Sequence, residues 1–64
     1  MKVIFNSKEI EVPEDAVLYD YLMKIGYRRV MVTLNGEQLP AWKFKTTVLS
    51  EGDEITAKRI SGGG

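Results

Sequence analysis

The chain is 64 residues long, which is room for one domain, and it contains no cysteine and no histidine. Those absences exclude disulfide staples, thiolate or imidazole catalysis, and the usual zinc and copper sites. Nine basic and nine acidic residues cancel to a net charge of zero, so the clustered basic excess expected of a nucleic-acid binder is missing.

A chain this short buries only about 60% of the surface it exposes when unfolded, so its stability must come from a compact apolar core. With 44% hydrophobic residues in periodic array, such a core is within reach. The apolar start Met1-Lys2-Val3-Ile4-Phe5 is broken by Asn6-Ser7-Lys8, too early for a secretory apolar region, and no apolar run approaches the ~20 residues of a membrane span. The expectation is a cytoplasmic protein with neither a membrane nor a nucleic acid as partner.

The first elements form a hairpin. Lys2-Val3-Ile4-Phe5-Asn6 is β-branched and aromatic and reads as a strand, and Asn6-Ser7-Lys8 has turn chemistry. Glu9-Ile10-Glu11-Val12 alternates charged and apolar residues as a half-buried second strand does, and Pro13 ends it. The period then changes. Val17, Leu18, Tyr21, Leu22 and Ile25 fall on one face of a helix, with Glu14, Asp15 and Asp20 near its N-terminus and Gly26 placed to close it. Tyr19, Tyr21 and Tyr27 are read as core or helix-flank packing.

Arg29 to Leu34 forms a third strand, with Val30, Val32 and Leu34 on one face and Met31 and Thr33 on the other. Asn35-Gly36 is a strong hairpin-turn signal, because both residues tolerate positive φ, and Glu37-Gln38-Leu39 pairs back before Pro40. The stretch Ala41 to Leu49 is irregular, and its Trp42 and Phe44 are expected to plug one end of the sheet. Ser50-Glu51-Gly52-Asp53 is a turn, and Glu54 to Ile60 alternates as a final strand. The neighbouring Asp53 and Glu54 point to opposite faces of that strand and cannot act as a catalytic pair. Arg28-Arg29 and the Lys43/Lys45 alternation read as solvated surface.

This order predicts an α+β domain over residues 1–60, a mixed sheet of four to five strands with one main helix packed on it. It fits a β-grasp (ubiquitin-like) arrangement, with the first and last strands side by side at the sheet centre. Residues 61–64, Ser61-Gly62-Gly63-Gly64, follow as a glycine tail. That composition suits a flexible linker, and it equally suits a carboxylate threaded through a narrow channel into another protein's active site. Composition excludes every other candidate for chemistry, so the tail is the one reactive feature. Ile60 is opposite in parity to Ile55 and Ala57, and Met31 to its neighbours. Both are expected on the outward sheet face near the tail, with Ile4 joining them in a docking patch.

Taken together, Val32-Thr33-Leu34-Asn35-Gly36-Glu37-Gln38-Leu39-Pro40, Trp42, Thr47-Val48-Leu49-Ser50-Glu51-Gly52-Asp53-Glu54-Ile55 and the Gly-Gly end carry a likeness over nearly the whole chain. The sequence resembles the ThiS/MoaD class of ubiquitin-like sulfur carriers, and within it the short ThiS type. The resemblance implies a protein that is not an enzyme and binds no cofactor of its own. A ubiquitin-activating-type adenylating enzyme (ThiF/MoeB-like) would use ATP to convert its C-terminal carboxylate into an acyl-adenylate. A persulfide sulfur donor would then convert that group to a thiocarboxylate, and the sulfur would pass to a sulfur-accepting, thiazole synthase-like enzyme in thiamine biosynthesis. Molybdopterin or tungsten cofactor synthesis, tRNA thiolation, and conjugation to other proteins as a ubiquitin-like modifier use the same kind of tail. The reactive residue is expected to be Gly64, or Gly63 if Gly64 is removed, since the family commonly ends in two glycines and this chain in three. Ile60, Ser61, Gly62, Gly63, Met31 and Ile4 are the expected partner contacts. Where the family often caps its helix with Thr this chain has Val17, so the cap is assigned to Asp15.

Overall fold

A computed structural model of the chain describes residues 1–60. The first hairpin joins β1 (Lys2–Phe5) to β2 (Lys8–Glu11) in antiparallel register, Phe5 opposite Lys8 and Lys2 opposite Glu11. Asn6 and Ser7 both adopt positive φ, 49° and 69°, as a two-residue turn matching the strand twist requires. The helix α1 (Leu18–Lys24) crosses next, followed by β3 (Val30–Leu34) and β4 (Glu37–Leu39) around Asn35 and Gly36. A 3₁₀ helix over Ala41–Thr46 leads into β5 (Glu54–Arg59).

The five strands form one mixed sheet in the order β2-β1-β5-β3-β4. The last strand therefore lies at the centre, parallel to β1 and antiparallel to β3, which is the β-grasp arrangement expected. Alternation places Val3, Phe5, Val30, Val32, Ile55 and Ala57 on one face, where Leu18 and Leu22 of α1 close the core, all of them buried. Phe44 and Leu49 complete it from the connection.

The parallel ladder between β1 and β5 is extended by a side chain. The Asn6 N–H donates to the Ile55 carbonyl at 2.8 Å, and the ladder continues through the Asn6 amide. Its Oδ1 accepts from the Ala57 N–H at 2.8 Å and its Nδ2 donates to the Ala57 carbonyl at 3.2 Å, so one carboxamide stands in for a peptide unit.

The helix is held at both ends by backbone. Asp15 does not cap it. That residue lies two positions before the N-cap Val17, at φ 64°, and Val17 itself makes no side-chain cap. Instead the Leu18 N–H donates to the Thr47 carbonyl at 2.9 Å and the Leu49 N–H to the Ala16 carbonyl at 2.8 Å, around a Val17–Val48 bridge. The cap comes from Thr47, 29 positions beyond Leu18, which no local rule could supply. At the other end Gly26 has φ 77° and donates to Met23, while the Tyr27 N–H reaches back to Leu22, the paired bonds of a Schellman closure.

Trp42 departs from expectation. Phe44 is buried but Trp42 is 75% exposed. Residues two apart share a face in a strand, whereas in a 3₁₀ helix of three residues per turn they point about 120° apart. With Phe44 in the core, Trp42 faces outward.

Candidate functional site

The last strand is the central one, so the chain leaves the domain from the middle of the sheet, where β3 begins. The register Val30↔Arg59 sets the N-terminal end of β3 against the C-terminal end of β5. Beyond that pair, the Ile60 N–H donates to the Arg29 carbonyl at 2.9 Å, the final backbone bond between the two strands. Arg29 reaches that bond with φ 53°, a left-handed conformation that L side chains rarely adopt. Asn6, Ser7, Asp15 and Asn35 share the conformation, but their short polar side chains can bond locally. Arg29 has no such reason to adopt it.

Basic residues converge here. Arg28 and Arg29 precede β3 while Lys58 and Arg59 end β5, and the strand register makes these two pairs neighbours. The Arg59 guanidinium lies 5.0 Å over the Tyr27 ring, and the Lys45 ammonium 4.9 Å over Tyr19. Tyr27 in turn packs edge-on against the buried Phe5, ring centroids 5.6 Å apart, as does Tyr21 at 5.3 Å. Burial pushes the Tyr21 hydroxyl above the ordinary phenol range, with Tyr27 adding to it, so it stays neutral. At the opposite end of β5 the chain is acidic, with Asp53 just before the strand, Glu54 beginning it, and Glu37 at the same end of the sheet on β4, across β3. Six residues of extended strand separate the ends by about 20 Å. A net charge of zero thus conceals a polarity along the sheet.

Beside the exit a groove of about 780 Å³ runs between α1, the 3₁₀ helix and the ends of β3 and β5. Its apolar lining includes Met23, Trp42, Phe44 and Ile60, flanked by Tyr19 and Tyr27. Arg28, Arg29 and Lys45 also line it, and among the described residues no carboxylate side chain does.

The expected docking residues are not brought together. Met31 and Ile60 are both 53% exposed. Met31 lies on the open face of the sheet opposite Lys58. Ile60 lies one residue past the end of β5 and borders the groove on the helix side, not the open face that strand parity predicted. Ile4 is half-buried and paired with Glu54, at the acidic end and far from the exit. Ser61, Gly62, Gly63 and Gly64 lie outside the described residues. Arg28, Arg29 and Lys45 are exposed, as their reading as solvated surface expects, but that reading did not place them together. Their doublets and alternation were visible, but only strand pairing shows that they converge.

Among the described residues no group of acidic side chains could hold a metal ion, and no helix is long and apolar enough to cross a membrane. The segments that carried the family likeness form a latch at the acidic end. Asn35 accepts from the Glu54 N–H at 2.8 Å and donates to Asp53 at 3.1 Å, and Asp53 accepts from the Ser50 N–H at 2.7 Å. Gly52, at φ 82°, makes the tight turn between them.

A family model described as the ThiS family matches residues 2–64. None of the curated proteins compared with the chain matches it. Among solved structures, a crystal structure of a thiamine biosynthesis protein (ThiS) from Geobacter metallireducens is 29% identical, with a TM-score of 0.84 and 100% of each chain covered.

Proposed function

The chain belongs to the ThiS family, and on that premise we propose that it is a sulfur carrier for thiamine biosynthesis whose C-terminal glycine is the reacting group. The observation that carries this reading is the reach of the family match, which runs through Gly62, Gly63 and Gly64. The Geobacter metallireducens structure, titled a thiamine biosynthesis protein, supports the choice of pathway.

The chemistry needs two partners, because a carboxylate is a poor electrophile and this chain offers no group to activate it. An adenylating enzyme of the ubiquitin-activating type supplies the leaving group. A carboxylate oxygen of Gly64 attacks the α-phosphorus of ATP, pyrophosphate departs, and an acyl-adenylate forms. The terminal sulfur of a donor persulfide then attacks the acyl carbon and expels AMP. A second thiol cleaves the resulting S–S bond, leaving the thiocarboxylate on the carrier and a disulfide on the donor side. Both thiols belong to partners, since the chain has no cysteine. A sulfur-accepting synthase takes the sulfur and returns the carboxylate. The carrier is a substrate throughout.

The fold's part is presentation. The central strand stays paired with its neighbour up to Ile60 through the bond to Arg29, and residues 61–64 carry the chain from there to the reactive carboxyl. Glycines suit a narrow channel because they carry no Cβ to clash with its walls.

The test is pyrophosphate exchange into ATP by such an adenylating enzyme. Exchange is expected with the full chain and absent with a chain ending at Gly62. Equal exchange by the shortened chain would overturn the assignment of the tail.

A further inference from the structure

We propose that the groove between α1, the 3₁₀ helix and the strand ends is a second docking surface, separate from the tail, for an acidic peptide segment carrying an apolar anchor. The proposal goes beyond the carrier chemistry and does not depend on it.

Charge selects the occupant. Among the described residues Arg28, Arg29 and Lys45 line the groove with no carboxylate side chain beside them, and the salt bridges lie elsewhere, at Met1–Glu11 and Lys2–Glu9. The Lys45 ammonium sits 4.9 Å over the Tyr19 ring, so a lining cation is placed against a lining aromatic. A negatively charged partner would replace water around these cations.

The floor selects the anchor. Trp42 is 75% exposed, with the Lys43 ammonium 5.3 Å from its ring centroid, and the exposed Ile60 and Met23 line the same groove. Large apolar groups with a positive rim match the pattern of interface cores, in which a buried aromatic is ringed by polar contacts. The Arg29 backbone points the same way. A glycine would hold φ 53° without strain, and an arginine there adds a rim cation at the expense of local stability.

The experiment titrates the full chain, amide-labelled, with a short synthetic peptide in which glutamates flank a leucine and a phenylalanine three residues apart. Saturable shifts are expected at Tyr19, Met23, Tyr27 to Val30, Lys45 and the Trp42 indole, with none at Met31, Thr33 or Thr56 on the open face. Reversing two charges, Arg28→Glu with Lys45→Glu, is expected to weaken binding about tenfold. Arg29→Gly separates folding from binding, because it should raise the melting temperature by about 5 °C while weakening the peptide severalfold. Three outcomes would each overturn the proposal: shifts confined to the open face, equal binding of the peptide with lysines in place of glutamates, or tighter binding of a single-stranded thymidine oligonucleotide. Loss of pyrophosphate exchange with groove binding intact would count against the carrier reading alone.

Discussion

The carboxamide of Asn6 is the fold's most concentrated local commitment, and Asn6→Ala should destabilise the domain severely. Two hydrogen bonds to the Ala57 backbone are lost, at 2.8 and 3.2 Å. They lie part-buried on the central strand, where each is worth about 1 kcal/mol, and more if water cannot replace it. Alanine must also adopt φ 49°, which adds about 1 kcal/mol. The sum is about 3 kcal/mol, against a total of about 3–10 kcal/mol for a chain of this size. A fall of about 12–24 °C in melting temperature follows. A thermal melt followed by circular dichroism measures the fall and urea denaturation the free energy, because the exposed Trp42 is a poor reporter of folding. Asn6→Gly removes the carboxamide without the backbone strain and should cost about 2 kcal/mol. If Asn6→Gly matched the parent within about 0.5 kcal/mol, the side-chain ladder would contribute nothing and the reasoning would fail.

Gly26→Ala meets no atom within 4 Å, so its effect is purely conformational. At φ 77° it should cost about 1 kcal/mol, and a thermal melt showing no loss would mean the helix end relaxes freely. The N-terminus supplies a pH dependence. The Met1 ammonium donates to Glu11 at 2.9 Å, which holds the Glu11 carboxyl below its ordinary range and raises the ammonium above its own. The depressed carboxylate contributes above its ordinary value and loses that contribution as pH falls through the folded value. The raised ammonium contributes below its ordinary value and loses it as pH climbs. Glu11→Gln should therefore lower the melting temperature slightly between about pH 5 and about pH 8 and leave it unchanged at either extreme. A difference constant across pH would rule the pair out.

Much of the fold is written in short-range signals. Asn6-Ser7, Gly26 and Asn35-Gly36 each need positive φ and each closes the element expected of it. The alternation of β1, β3 and β5 sorts the core correctly because a strand's period is two. What stayed hidden depends on distant pairing. The Thr47 carbonyl caps α1 only because the 3₁₀ helix returns across it, and that same helix turns Trp42 outward where a strand would have turned it inward. The basic convergence follows from the Val30↔Arg59 register, which brings together residues half the chain apart. The Asn35 and Asp53 motifs were legible as a likeness, but their work is structural. They pin the turns at the end of the sheet remote from the exit.

The central claim is that the terminal glycine carries the sulfur, and the intact mass of the protein tests it most directly. The chain is incubated with ATP, a sulfide source and an adenylating enzyme of the ubiquitin-activating type, beside a control lacking Gly63 and Gly64. A mass gain equal to the replacement of one oxygen by sulfur, confined to the full-length chain, is expected. An unchanged mass in the full chain, or the same gain in the shortened control, would contradict it.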